Sequence, residues 1–301
     1  MSINKNEILI TEFLEYLSHN RKFSDHTIRS YKNDLSQFNN FLQSYDDMLT
    51  DFSKIDKTAI QFYIQKCSKE GVSDKTLLRK VSSIKSFYRY LTQFNIVNYN
   101  IAALISSPKT SKRIPHYLSK KQVEELMKLP DLSVLQGIMN KSILEIFYST
   151  GIRISELIKI KIKDVDLNKQ IIKVMGKGKR ERIVILGKNA YDAIKNYLRV
   201  NKNSNNIYLY PSINNDSSHV SMSYIYKMVK SYLIKVSNDE KLSPHSLRHS
   251  FATHLLDNGA DLMSVKDLLG HKDLSSTQVY THVTIEKMKE IYKQAHPHGN
   301  K

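Results

Sequence analysis

Six residues in the second part of this 301-residue chain have side chains and settings suited to work on a phosphate. Arg153 lies in GIRISEL, just after one helical pattern ends and just before a new helical turn. Its guanidinium offers a rigid fork of donors matched to phosphate oxygens, although an arginine taken alone is ordinarily a surface or ion-pair residue. Lys177 stands between Gly176 and Gly178, which let the backbone turn sharply and approach a ligand; its ammonium is a movable proton donor, and the plain alternative is a charged hairpin tip. In SPHSLRHSFATHLL, Ser243 to Leu256, His245 and Arg248 fall three apart on one helical face, with Pro244 suited to the first turn. His249 and His254 crowd the same helix, and a structural reading places one histidine in a polar core contact. His271 ends LLGH, and Tyr280 sits in STQVYTHV, where a tyrosine after a Ser/Thr-rich turn can simply pack.

Two other chemistries fit poorly. The basic loop is no phosphate-cradling P-loop, because no GxxxxGK followed by Ser or Thr occurs. His245 and His249 are four apart, as on a zinc-binding helix, but Ser246 follows His245 where HExxH has its glutamate. The lone Cys67 rules out an internal disulfide and a multi-cysteine zinc site.

The elements that must position these residues follow from periodicity and punctuation. Residues 1–105 read as helices only, with apolar stripes at Leu9, Phe13, Tyr16 and Leu17, then from Ile28 to Leu42, then from Leu77 to Leu91. Ser24 and Ser73 are placed to cap, and a third helix begins near Asp56. The aromatics in these stripes read as core rather than base-stacking platforms, because each falls where a bundle needs an apolar side chain. Over 106–118, and most clearly in SSPKTSKRIP, the periodicity stops; this reads as a linker whose Lys109, Lys112 and Arg113 could follow a phosphate backbone or merely solvate it. A second domain over 119–301 opens on a capping box, Ser119 with Gln122. Residues 170–175 and 181–186 read as a β-hairpin around the basic loop, with helices near 119–129, 136–150, 188–202, 221–236, 244–258, 261–269 and 285–295. The fold class is therefore mainly α with one small β-hairpin.

Charge narrows the partner. Lys and Arg total 46 against 29 Asp and Glu, a net +17 that suits a polyanion, nucleic acid first and an anionic membrane second. The first 110 residues carry only +4 of it and the remainder +13, so the excess gathers where the phosphate-seeking residues lie. No apolar run approaches the roughly 20 residues a membrane span needs, and the N-terminus lacks a signal-peptide pattern. A soluble cytoplasmic protein is expected.

Taken jointly, in that order and in those contexts, Arg153, Lys177, His245, Arg248, His271 and Tyr280 resemble the active-site series of the tyrosine recombinases, above all the bacterial Xer group. The string HSLRHSFATHLLDNGADL, followed by LLGH and by Tyr280 nine residues after His271, carries the likeness, which extends over essentially the whole chain. The resemblance implies an all-helical core-binding domain and a catalytic domain that close around one half-site of duplex DNA. It implies that Tyr280 attacks a phosphodiester to give a 3′-phosphotyrosyl bond and a free 5′-hydroxyl, with His245 as base. Arg153 and Arg248 would bracket the non-bridging oxygens, Lys177 would protonate the leaving oxygen and His271 would add a hydrogen bond. No ATP, cofactor or metal is expected.

The same resemblance implies four protomers joining two sites, as a homotetramer or with a second Xer recombinase. It also implies chromosome-dimer resolution at a dif-type site, nucleoid association and control by an FtsK-type DNA translocase. The end, KEIYKQAHP, looks more like XerC than XerD, and His298 stands where the group commonly has the arginine of HPR. The amphipathic helix with Ile285, Met288, Ile291 and Tyr292 suits docking into a neighbouring subunit, or folding back on its own domain. A phage or mobile-element integrase of the same family is the nearest alternative; many of those carry an N-terminal arm-binding domain, whereas here the first helix starts within about ten residues of Met1. A non-catalytic DNA-binding regulator is the alternative from another class. A metal-dependent nuclease finds no carboxylate cluster to support it.

Overall fold

The computed structural model describes residues 5–45, 51–107, 116–176, 181–201, 206–212, 218–270 and 282–299. It divides into two compact units, Met1–Arg113 and Ile114–Lys301. No helix among the described residues is long and apolar enough to cross a membrane.

The N-terminal unit is built from α1 (Lys5–His19), α2 (Asp25–Tyr45), α3 (Lys57–Lys69) and α4 (Asp74–Gln93), followed by a 3₁₀ turn at Ile101–Leu104. Ser24, Asp56 and Ser73 each accept a backbone N–H three residues on, so the polar residue ahead of each stripe starts the helix. The stripes meet in one core where Phe13, Phe38, Phe52 and Phe87 are fully buried, with Phe52 edge-on to Phe87 at 4.9 Å. These aromatics are core, as their spacing requires. Charge lies inside as a pair: Asp34 on α2 takes an ion pair from Arg79 on α4, with the buried Lys80 3.5 Å away.

The C-terminal unit opens with α5 (Lys120–Lys128), whose capping box forms as the sequence implies: Gln122 N–H donates to Ser119 Oγ and Ser119 N–H to Gln122 Oε1. Next, α6 (Leu135–Thr150) is buried nearly all round, polar Asn140, Ser142, Glu145 and Ser149 included, and forms the centre of the unit. A short helical turn, α7 (Ile154–Leu157), leads to a three-stranded antiparallel sheet in the order β1 (Val165–Asp166), β2 (Ile171–Met175), β3 (Glu181–Ile185). The β2–β3 register pairs Met175 with Glu181 and Val174 with Arg182, which brings the chain back at the basic loop. The short β1 and the 3₁₀ turns at 101–104 and 162–164 are additions to the periodicity reading, since runs this short leave no repeat to detect.

Five helices complete the unit: α8 (Lys188–Val200), α9 (Met222–Val236), α10 (Pro244–Asp257), α11 (Leu262–Leu269) and α12 (His282–Ala295). The apolar stripe of α12 packs within its own unit: Met288, Tyr292 and Ala295 are buried with Phe251, Leu255, Leu268 and Leu269. Tyr292 Oη lies 2.8 Å from Ser149 Oγ, and His296 stacks on the Tyr292 ring at 4.4 Å. Burial, reinforced by His298, pushes the His296 imidazole down to about 3, so it stays neutral there. His298 sits 3.8 Å from the buried Glu145 carboxylate. Of the two placements open to this helix, the isolated chain takes the intramolecular one.

Candidate active site

The site is assembled where α6 ends. Gly151 caps that helix in the left-handed region, at φ 56°, and a Cβ there would lie 2.7 Å from both Leu269 and Phe251. Only glycine meets both demands, and the tight contact presses the start of α7 against α10 and the end of α11. Arg153 follows as the residue ahead of α7. Its backbone N–H donates to Glu156 Oε2 at 3.0 Å, and its Nη1 to Glu156 Oε1 at 3.1 Å. The side chain is 39% exposed, so the guanidinium is fixed on one edge and open on the other.

Arg248 comes from the second turn of α10 and is buried. Its Nη1 donates to the Gly151 carbonyl and its Nη2 to the Leu269 carbonyl at 2.8 Å. Burial, together with the positive charges of Arg153 and Arg182, pushes its pKa down to about 10, still well above neutrality. Arg248 thus holds the carbonyl two residues ahead of Arg153, and the two charges are near enough for each to be felt by the other. His245 lies one turn earlier on α10, exposed, and His249 is exposed as well. His254, by contrast, is buried with Nδ1 2.9 Å from Tyr148 Oη, and burial lowers its pKa. It is the core histidine of the crowded helix.

Two residues that sequence reading passed over complete the frame. Glu156, 4% exposed, receives Arg153 as above and Arg182 Nη2 at 2.9 Å. Burial raises its pKa, but the two guanidiniums outweigh that and hold it below the ordinary value. Arg182, on β3, also donates through Nη1 to the Leu268 carbonyl at 3.0 Å. Signals for both existed: an acid three residues after Arg153, and a charge at the same strand parity as the buried Val184. Arg182 and Arg248 therefore hold the consecutive carbonyls of Leu268 and Leu269, which end α11 and have no partner within the helix. Gly270 caps that helix at φ 65°, and His271 is the next residue in the chain.

Lys177, His271 and Tyr280 lie outside the described residues, as do Lys109, Lys112 and Arg113 of the expected linker. A cleft of about 350 Å³ opens beside Glu156, lined by Lys159, Lys161, Lys163 and Lys173, with Asp164 and Glu181 among them and Tyr208 and His219 at its side. The open edge of the Arg153 guanidinium, with the buried charge of Arg248 behind it, can neutralise the non-bridging oxygens of a phosphodiester, and the lysines beside Glu156 can neutralise further phosphates of the same polymer.

Comparison with known proteins defines the class. The phage integrase family matches over residues 116–287, and the phage integrase N-terminal SAM-like domain over residues 10–95. The chain belongs to this family, the tyrosine recombinases, which cleave and rejoin DNA by transesterification and act site-specifically. Within it, the chain is 36% identical over 298 residues to the tyrosine recombinase XerD of Staphylococcus saprophyticus, covering 97% of this chain and 99% of that one. It is 37% identical over 297 residues to the tyrosine recombinase XerC of Thermodesulfovibrio yellowstonii, covering 97% of each. The protein is thus of the Xer type, and relatives of both names match equally well. Among solved structures, the XerH site-specific recombinase bound to palindromic difH substrate shares the fold, with a TM-score of 0.71 at 24% identity over 96% of this chain and 89% of that one.

Proposed function

We propose that this protein resolves chromosome dimers by recombining a dif-type duplex site, with Arg153, Lys177, His245, Arg248, His271 and Tyr280 as its active-site residues. The observation that carries the assignment to this site is the pairing of Arg153, carboxylate-braced and open to solvent, with Arg248, buried, still charged and bonded to the Gly151 carbonyl two residues ahead of it. Such a pair stabilises the dianionic, five-coordinate phosphorus better than the monoanionic diester, which is the condition for lowering the barrier rather than merely binding DNA.

The reaction balances without an external co-reactant. Tyr280 Oη forms a bond to phosphorus, the bond from phosphorus to the 5′-oxygen breaks, the phenol proton passes to His245, and Lys177 gives a proton to the departing 5′-oxygen. His271 donates a hydrogen bond to the phosphoryl group. The phosphotyrosyl bond keeps the energy of the diester, so attack by a partner strand's 5′-hydroxyl reseals DNA without ATP. The two units, acting as domains over 1–105 and 119–301 joined by the 106–118 linker, would clamp a half-site. Four protomers would join two sites, through an exchange of α12 that its packing in the isolated chain would have to release. The KEIYKQAHP end favours a XerC-like member of a pair acting under an FtsK-type translocase at the nucleoid.

The reading is tested by incubating the purified protein in EDTA with nicked duplexes from a pool of dif-like sites, with and without a candidate partner recombinase, and running a denaturing gel. A slow protein–DNA adduct supports it. Binding with no adduct from any site or pairing would transfer the protein to the non-catalytic regulators. Two results should accompany the adduct. Half-site affinity should fall by about 10³-fold or more between 50 and 200 mM salt, as for six or more neutralised phosphates; a flat response in a filter-binding titration would remove the clamp. Lys177→Ala should cleave an ordinary diester about 10²–10⁴-fold slower than the native chain. It should regain most of that rate when the leaving 5′-oxygen is replaced by sulfur, because a thiolate departs unprotonated. Failure of the sulfur substrate to restore cleavage would assign the general acid elsewhere.

A further inference from the structure

A charge at position 182 is costly where it stands. Arg182 is the second residue of β3, 7% exposed, on the strand parity that Val184 uses to enter the core, and its Nε has no partner among the described residues. An apolar side chain would fill this strand position without the desolvation of a guanidinium. What the guanidinium does that no apolar residue can is join three elements. Nη2 meets Glu156 Oε2 at 2.9 Å on α7, and Nη1 meets the Leu268 carbonyl at 3.0 Å at the end of α11, while its own backbone pairs with Val174 of β2. The joint is close-fitting: a Cβ at Gly270 would come within 2.6 Å of Arg182 Cδ.

The groups at the other ends of this fork are those that matter for the site. Glu156 holds Arg153 by both its backbone N–H and its side chain. Leu268 precedes Leu269, whose carbonyl is held by Arg248, and His271 follows Gly270. Arg248 ties the Gly151 carbonyl to that of Leu269, and Arg182 is the guanidinium that ties the Glu156 brace of Arg153 itself to the same helix end. A lysine carries the same charge but is a single point with no planar fork, and cannot reach both acceptors in fixed directions.

We infer that Arg182 is a positioning residue of the recombination site, setting Arg153, through Glu156, in register with the end of α11; the inference rests on the recombinase reading above. It acts on phosphate charge stabilisation and not on proton delivery to the leaving oxygen.

The test is single-turnover adduct formation by the full-length Arg182→Lys chain on the nicked duplex, with thermal melting and half-site binding measured alongside. A misplacement on the order of 1 Å costs about a hundredfold in rate. The expected result is that loss in the rate constant, with full reaction amplitude, unchanged half-site affinity and a native melting profile at the assay temperature. On the sulfur-leaving substrate the deficit should persist, unlike that of Lys177→Ala. A rate within threefold of the native chain would overturn the inference, as would a loss confined to amplitude and tracking unfolding, or full restoration by sulfur. If Arg182→Lys does not fold, the neutral pair Glu156→Gln with Arg182→Gln, which carries no buried charge, should show the same hundredfold loss; a native rate there would overturn the inference as well. Were the native chain itself to form no adduct, the recombinase reading would fail first; an adduct from the native chain with an unimpaired variant fails the Arg182 inference alone.

Discussion

Tyr280→Phe is expected to abolish the covalent adduct completely while leaving half-site affinity within about twofold of the native chain. The substitution removes one oxygen, and that oxygen is the atom that bonds to phosphorus in the proposed reaction. A free phenol with a pKa near 10 is only about one part in a thousand ionised at pH 7, a deficit of about 4 kcal/mol that the protein must overcome to use it. The C-terminal unit holds the means. Arg153 and Arg182 share a single carboxylate, Glu156, and Arg248 beside them has none; burial first, and then the charges of Arg153 and Arg182, lower Arg248 to about 10. A site already carrying unrelieved positive charge favours any step that brings negative charge into it, whether a phenolate or a developing phosphorane. Because those cations also bind the ground-state phosphate, binding should survive the loss of the hydroxyl. The check is a denaturing gel for the adduct and a filter-binding titration for affinity, run on the same preparation. An undiminished adduct from Tyr280→Phe would place the nucleophile on another residue.

How much of this could be read from the sequence depended on whether the determinant was local. Caps and stripes were legible because their partners lie three or four residues away: Ser119 with Gln122, Ser73 with Thr76, the Phe13 and Phe87 faces. Arg153 and Arg248 were legible through motif context. Glu156 and Arg182 were not singled out, because Arg182 gains its meaning from Glu156, 26 residues away, and from the Leu268 carbonyl, 86 residues away. A backbone carbonyl leaves no mark in a sequence. The same limit applied to α12: its amphipathic stripe was evident, yet whether it met its own domain or a neighbour turned on Tyr292 reaching Ser149, 143 residues back. His254, six residues after Arg248 on the same helix, is turned to the core by helical geometry and finds Tyr148 there, whereas His249, next to Arg248, is exposed.

Glu156→Ala carries the largest expected effect on stability. The carboxylate is buried and bonded to two guanidiniums, and removing it leaves Arg182 charged in an enclosed place with, among the described residues, the Leu268 carbonyl as the remaining partner of its side chain. Breaking a buried ion pair from one side costs about 3–5 kcal/mol, against the smaller value of an exposed pair. For a unit of this size that lowers the melting temperature by about 10 °C. Adding Arg182→Met removes the stranded charge, so the double variant should be more stable than Glu156→Ala alone; a double variant destabilised by the sum of the two single changes would show the pair to be uncoupled. The pH dependence has a definite sign. Burial raises the Glu156 pKa, but Arg182 and Arg153 more than reverse it, leaving the native carboxyl below its ordinary 4.5. The unfolded chain therefore takes up the proton first on acidification. The stabilisation is complete above that ordinary value and is lost as pH falls through the lower native one. Melting curves from pH 7 to pH 3 should consequently converge, the native chain losing stability faster than Glu156→Ala on the acidic side. Parallel curves across that range would mean that the carboxylate is not held by the arginines in solution, and with it would go the brace on which Arg153 depends.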